Sequence, residues 1–272
     1  MSSDGKPGVI PVAKAGFVDG GNYETYRPGY TDEVVKEVIS MATDSVESCD
    51  DDCEYDILEL GAGTGKFTEC LFKLCPQGMK VLVTEPSSDF VKTLEEKNPG
   101  VNTRQCSANN IPLPDNSVKA IIAAQCFHWF ANDENITEIV RVLKPGGNFV
   151  LVWNILDEKS LLNADFQKFI LKWIKDTPQY YDMRWEKFLD SCDKVRLVSR
   201  KCFDGPAFKG SIDHLVRLRT TFSYIQSLED DQKEKACEEI REFYENHPEG
   251  KGKEFLTHPM ITDVIHYKIS KK

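Results

Sequence analysis

The sequence predicts an α/β fold with a doubly wound, mostly parallel sheet, and three observations carry that prediction. In Tyr55-Asp-Ile-Leu-Glu-Leu-Gly-Ala-Gly-Thr-Gly-Lys-Phe-Thr68, an apolar run at Ile57, Leu58 and Leu60 meets Gly61, Gly63 and Gly65. Phe67, Leu71 and Leu74 follow at helical spacing. Strand, glycine turn and helix in that order form the first unit of a nucleotide-binding sheet. Strand-like and helix-like segments then alternate as far as Trp153. Finally, Ile261-Thr-Asp-Val-Ile-His-Tyr-Lys-Ile269 alternates apolar with polar residues and reads as a closing strand.

The glycine loop narrows the ligand. Its spacing is Gly-x-Gly-x-Gly, preceded by an acid at Glu59. It lacks both the Gly-x-Gly-x-x-Gly fingerprint and the Gly-Lys-Ser/Thr of a P-loop. A diphosphate is drawn to helix N–H groups and repelled by a nearby acid. A cofactor carrying an ammonium and a sulfonium has the opposite preference. Glu59-Leu-Gly-Ala-Gly-Thr-Gly65 resembles the first motif of the class I S-adenosylmethionine (SAM) methyltransferases. A dinucleotide, or a glycine turn without ligand, stays open on this motif alone.

Composition sets the bounds. The 272 residues suit one large α/β domain with a cap. Hydrophobic residues make up 40% and charged residues 29%, as in ordinary soluble proteins. No apolar run approaches the ~20 residues of a membrane span. The polar start, Met1-Ser-Ser-Asp-Gly-Lys-Pro-Gly8, lacks the apolar core of a signal peptide, so the expected compartment is the cytoplasm. The nine cysteines are scattered without a Cys-x-x-Cys pair, which predicts reduced thiols and no metal. A net charge of −10 disfavours a nucleic-acid partner. Asp50-Asp-Asp52 reads as a solvated loop.

In chain order, residues 1–15 are expected to be disordered and 16–272 to form a single domain. Its cofactor-binding core is 50–155, and 156–272 supply the cap and closing strands. Thr31 caps an amphipathic helix with apolar residues at 34, 35, 38 and 39. Met79–Glu85 is the second strand, and Glu85 ends it about where such folds place a ribose-binding carboxylate. Ser87 caps the next helix. Val101–Cys106 is the third strand, and Asp115–Ala124 a turn and buried fourth strand ending in Gln125-Cys-Phe-His-Trp-Phe130. Asn132–Leu143 is a helix, Lys144-Pro-Gly-Gly147 a turn, and Phe149–Trp153 the fifth strand. Beyond these, Asp165–Lys175 is amphipathic, Val195–Phe203 is a candidate strand, and Ser211–Ile225 and Glu229–Asn246 are helices.

Several stretches resemble the small-molecule, trans-aconitate methyltransferase-like group of that family: Tyr23-x-x-Tyr26-Arg27-Pro28-x-Tyr30, His128-Trp129-Phe130 and Leu143-Lys-Pro-Gly-Gly147. The likeness covers residues 17 to 155. It implies a Rossmann-like, seven-stranded, mostly parallel sheet with helices on both faces, a helical cap, and a last strand added antiparallel at the sheet edge. It also implies SAM as cofactor, held by Tyr26, Arg27, Glu59, Gly61, Ala62, Gly63, Glu85, Pro86, Ser107, Ala108 and Gln125. Tyr26 or Arg27 would meet the cofactor carboxylate, unless the tyrosines only pack the helix against the sheet. In the family's adenine-binding loop an aspartate grips the ring's amino group; here Ser107 stands in its place and Asn109 follows Ala108.

Methyl transfer is a displacement at carbon whose reactivity comes from the cofactor. The protein aligns the reactants and excludes water. An acceptor that is already anionic needs no base, whereas an alcohol, thiol or ammonium is helped by one. His128, just past a strand end in an aromatic run, is the candidate base or acceptor contact. Packing against the pocket floor is its structural alternative. Trp129, Arg217 and Arg219 are candidate substrate contacts, and the two arginines cannot both face one direction on a helix. The expectation is a SAM-dependent methyltransferase (EC 2.1.1 type) for a small-molecule acceptor, with a carboxylic acid foremost. Membranes and nucleic acids are not expected partners, and the protein is expected to be a monomer or weak dimer. Its rivals are an inactive SAM-binding regulator and a dinucleotide-dependent oxidoreductase.

Overall fold

The computed structural model describes residues 29–44 and 53–270. The segment 1–15, Tyr23, Tyr26, Arg27 and the Asp50–Asp52 run lie outside the described residues. Helix α1 (Asp32–Ala42) begins where expected. Its cap residue Thr31 accepts from the Val34 N–H at 3.4 Å, and Val34, Val35, Val38 and Ile39 form its buried face.

The expected alternation follows as β1 (Tyr55–Leu60), α2 (Lys66–Leu74), β2 (Val81–Glu85), α3 (Ser88–Lys97), β3 (Asn102–Gln105), β4 (Val118–Ala124), α4 (Asp133–Val142) and β5 (Leu143–Leu156). The Lys144–Gly147 turn lies inside β5. Val118 pairs with Leu143 and Ala120 already pairs with Asn148, so the glycine turn bulges out of the ladder. The remaining elements are α5 (Leu161–Ile174), α6 (Arg184–Asp190), β6 (Val195–Asp204), β7 (Phe208–Gly210), α7 (Ile212–Thr220), α8 (Ser223–Gln226), α9 (Asp230–Asn246), β8 (Leu256–His258) and β9 (Met260–Ile269).

The main sheet has seven strands in the order β3-β2-β1-β4-β5-β9-β6. Neighbours among β1 to β5 pair parallel, and β9 runs antiparallel to both β5 and β6. The closing strand is therefore antiparallel, as expected, but it lies between β5 and β6 instead of at the edge. Composition explains the exchange. Nearly all of β9 is buried, whereas most of β6 is exposed and carries Arg196, Arg200, Lys201 and Asp204. Charged residues suit an edge, where they discourage pairing with another chain.

Alternation along the central strands makes two cores. Leu58, Leu60, Leu82 and Ile121 face α4, whose Ile136, Ile139 and Val142 cover them. Ile57, Val81, Val83 and Ile122 face α1 and α2 on the other side. A third cluster, holding Phe166, Leu215, Ile240 and Tyr244, lies in the cap.

Two cap features depart from the expectation. The helix expected over Ser211–Ile225 ends at Thr220 and restarts at Ser223. At the break the Thr221 hydroxyl turns back to donate to Leu218 O at 2.7 Å, an alternative to helix continuation open to threonine. The small β7–β8 sheet, pairing Phe208 with His258, was not anticipated, because three-residue strands carry almost no periodic signal.

β9 is fixed to β6 by charge as well as by its ladder. Asp263 is fully buried; it accepts from Arg200 Nε at 3.0 Å and Nη2 at 2.7 Å, and from the Tyr180 hydroxyl at 2.7 Å. Arg200→Met would leave that carboxylate buried without its cation. The expected cost is about 3 kcal/mol of unfolding free energy in urea titrations. Asp263→Asn added to it should restore part of the loss, and strict additivity of the two changes would refute the coupling.

Candidate active site

The glycine loop leaves β1 at its carboxyl end, where open α/β sheets present ligands. Gly61 has φ +67° and packs so closely on Cys126 that a Cβ there would come within 3.0 Å of its Sγ. Gly63 has φ +60°, and a Cβ there would meet nothing within 4 Å. A left-handed backbone with open space on its side-chain face forms a cradle for a ligand. Glu85, at the end of β2, holds the loop in this shape. One oxygen accepts from Gly63 N–H at 2.9 Å and the other from Ser87 N–H at 3.0 Å. Burial raises the Glu85 pKa, and the two amide contacts act against that rise.

Glu59 lies beneath the loop, 1% exposed, and accepts from the Thr68 hydroxyl at 2.9 Å. Burial pushes its pKa up to about 8, with Glu85 adding to the rise and Thr68 opposing it. At neutral pH the carboxyl is mostly protonated. Its suitability for a cationic cofactor thus depends on the cation drawing that proton off, a condition its place in the sequence did not reveal.

Glu59, Gly61, Ala62, Gly63, Glu85 and Pro86 line one end of a single cavity of about 370 Å³. Ser107, Ala108, Gln125, His128 and Trp129 line it as well. The Ser107 hydroxyl is 2.6 Å from Asn109 Oδ1, to which it donates. Gln125 takes the left-handed conformation, φ 61°, unusual for a non-glycine residue. Its amide donates to Asn154 O at 3.1 Å, and Asn154 in turn donates to Gly29 O at 3.0 Å. Tyr30 packs edge-on against Phe67 with ring centroids 5.0 Å apart and also reaches the cavity, so packing and lining coexist in one side chain.

His128 lies on a short 3-10 turn, Phe127–Trp129. Its Nδ1 is 3.2 Å from Trp153 Nε1. An indole N–H can only donate, so Nδ1 must be the acceptor and the proton of the neutral ring lies on Nε2. In this tautomer Nε2 carries the ring's N–H, and the basic lone pair on Nδ1 is engaged by Trp153.

The far end of the cavity is built by the cap, from Phe166, Gln167, Phe208, Arg219, Phe222 and Tyr224. Arg219 is 2% exposed. Its guanidinium carbon lies 4.1 Å from the ring centre of Phe166, 5.2 Å from Phe222 and 5.6 Å from Phe208. Nε donates to the Tyr244 hydroxyl at 3.3 Å, while Nη2 is buried without a hydrogen-bond partner. No carboxylate among the described residues forms an ion pair with it. The buried Gln167 Nε2 is likewise without a partner. Arg217, two residues away, is exposed and does not line the cavity, because that spacing points it to the opposite side of α7. The aromatic residues of this end are not legible as a set in the sequence, since they come from three separate elements and the turn before α8; only the helical spacing of Phe166 with Ile170 hints at a shared face.

A glycine cradle with an acid at the end of the next strand, opening on a capped chamber, defines a Rossmann-like cofactor-binding enzyme. Residues 58–151 match the family described as "Methyltransferase domain". The Schizosaccharomyces pombe methyltransferase-like protein C25B8.10 is 34% identical over 234 residues, 85% of this chain and 86% of that protein. The methyltransferase C25B8.09 of the same organism is 30% identical over 253 residues, 89% and 91% of the two chains. An Anaeromyxobacter dehalogenans structure described as a type II methyltransferase shares the fold, with TM-score 0.62 and 18% identity over 90% of this chain and 98% of that one. The chain belongs to the class I SAM-dependent methyltransferases and is an enzyme of the EC 2.1.1 type. The oxidoreductase alternative is thereby set aside. No helix among the described residues is long and apolar enough to cross a membrane.

Glu59 also gives a pH prediction. Its folded pKa, about 8, is above the ordinary 4.5, so the native state keeps a proton that the unfolded chain releases. This group's contribution to stability falls as pH rises from about 4.5 through about 8. Glu59→Gln should remove that slope, so the variant gains on wild type in Tm as pH increases. Parallel Tm-against-pH curves would show that Glu59 is ionised in the native state.

Proposed function

We propose that this enzyme methylates a small organic carboxylic acid. The observation that supports the reading above all others is Arg219, a buried guanidinium facing the cavity with no counter-charge among the described residues. Burying a cation without a partner is costly, and an anionic ligand offsets that cost. The geometry of His128 favours the same class. With Nδ1 engaged by Trp153 it does not supply a base, and a carboxylate, already ionised, does not require one.

When bound, SAM supplies an activated methyl group on a sulfonium. The open face of Gly63 and the carboxylate of Glu85 suit such a cofactor. In this reading Gly61, Ala62 and Gly63 let the backbone approach it, and Glu85 accepts from the ribose hydroxyls. Pro86, Ser107 and Ala108 border the adenine, Gln125 faces the sulfonium side, and Tyr26 or Arg27 meets the cofactor's carboxylate. Glu59 supports the loop through Thr68 and yields its proton when a cation approaches. Trp129 and the cap close the chamber against water. A net charge of −10 disfavours a nucleic-acid partner, and a cytoplasmic, monomeric or weakly dimeric protein completes the proposal.

Calorimetric titration of SAM and of S-adenosylhomocysteine into wild type and Glu85→Ala tests the cofactor site. Micromolar binding is expected, weakened by ~1–3 kcal/mol in the variant, the range for losing a charged hydrogen bond. Equal affinity in both proteins would remove Glu85 from the site. Bound cofactor without turnover on any acceptor would favour the regulatory reading.

A further inference from the structure

Resting on the methyltransferase reading above, we infer that the acceptor is an apolar monocarboxylate: one anionic group held by Arg219 and Gln167, and a hydrocarbon or aromatic body lying against the cap's rings. A compact polycarboxylate is the wrong substrate for this chamber. The trans-aconitate resemblance would suggest the opposite, so the argument rests on charge counting and on the nature of the walls.

Among the described residues, the cationic side chains lining the cavity are Lys66 and Arg219. Lys66 is the first residue of α2, at the glycine-loop end, leaving Arg219 as the cation of the cap end. Three carboxyl groups line the same cavity, Glu59, Glu85 and Glu134, and Glu59 is held mostly protonated, so beyond Arg219 a second or third substrate carboxylate would find no further cation at the cap end and two ionisable acids elsewhere in the lining. An unpaired charge in such a site is strongly disfavoured.

The surroundings of Arg219 are mostly aromatic. Phe166 lies beneath the guanidinium and stacks on Tyr244 with ring planes 1° apart and centroids 5.5 Å apart. Phe208 and Phe222 close two further sides. The rings stabilise the cation through their faces, and Nη2 is left as a buried donor without a hydrogen-bond partner, which an anion's oxygen would satisfy. His258, whose ring packs edge-on against both Phe166 and Tyr244, does not add positive charge. Burial, with Arg219 contributing, lowers its pKa to about 2. Tyr224, two residues after Phe222 on α8, adds a further ring to the cavity lining. A single charge seated among rings selects for ligands that are themselves mostly apolar.

The transfer balances without a proton. A carboxylate oxygen forms the new bond to the methyl carbon as the carbon–sulfur bond breaks, and that bond's electron pair stays on sulfur. The products are a methyl ester and S-adenosylhomocysteine.

The test uses the full chain and SAM labelled in the methyl group. S-Adenosylhomocysteine binding is measured first by calorimetry, which separates failure of the cofactor reading from failure of this inference. Acceptors are then compared: straight-chain and phenyl-substituted monocarboxylates, their amides and alcohols, and di- and tricarboxylates of similar size. The expected result is alkali-labile label in monocarboxylate esters, with kcat/KM at least roughly 10-fold above the polycarboxylates and none with the neutral isosteres. Arg219→Met should lower kcat/KM for the acid by roughly 10- to 100-fold, the loss of a charged hydrogen bond, with cofactor affinity unchanged. Arg219→Lys, which keeps the charge but loses the fork, should fall between, with its loss mainly in KM. Cofactor affinity also reports whether each variant is folded. Preference for a di- or tricarboxylate, or for a neutral isostere, overturns the inference and leaves the methyltransferase reading intact. Wild-type activity in Arg219→Met overturns it as well. Cofactor binding with no carboxylic acid methylated overturns the carboxylate reading on which it stands.

Discussion

The Glu85 carboxylate is the constraint on which the site depends. It spans from Gly63 N–H to Ser87 N–H, so the turn after β1 and the turn after β2 are fixed to each other at one point. The first turn is a run of left-handed glycines closed by Gly65 N–H donating to Ala62 O at 3.0 Å, and the second begins a helix whose own cap, Ser87, accepts from Phe90 N–H at 3.5 Å. Bridging them joins the two turns into one surface. The two amide bonds also leave lone pairs on each oxygen, so the same group can order the loop and still accept from a ligand.

At the opposite end, the cap takes the reverse approach. Where the glycine loop removes side chains to make room, the cap crowds rings around one cation and leaves a nitrogen of it unsatisfied. Buried polar groups are normally paired, and those that are not usually mark function. The two ends thus present complementary demands, an acid where a cationic cofactor is expected and a cation where an anionic acceptor is expected, lining one cavity.

The legible parts of the sequence were those in which chemistry is local. Gly61, Gly63 and Glu85 lie in a fixed relation to two consecutive strands, and the caps Thr31, Ser87 and Ser211 act within three residues of themselves. The position of β9 was not legible, because an alternating segment declares itself a strand without declaring its neighbours. Helix geometry alone separated Arg217 from Arg219; which of the two is buried followed only from the packing of α7 against α9. His128 was recognisable as a site residue, but its role depends on Trp153, a partner 25 residues away whose indole fixes the tautomer.

The placement of β9 has a further consequence. Asp204, at the end of β6, pairs with Ile261 at the start of β9, and Gly205 N–H reaches Met260 O at 2.9 Å. Everything between those points leaves the sheet and returns to adjacent, hydrogen-bonded positions. That excursion contains Phe208, Arg219, Phe222 and Tyr244, most of the collar that would meet the acceptor. A segment whose ends are already neighbours behaves as an inserted module: its length and content can change without displacing either flanking strand. The fold therefore separates inheritance of the catalytic frame from diversification of its clientele, and new acceptors could be acquired by exchanging one loop of chain while the cofactor half stays untouched.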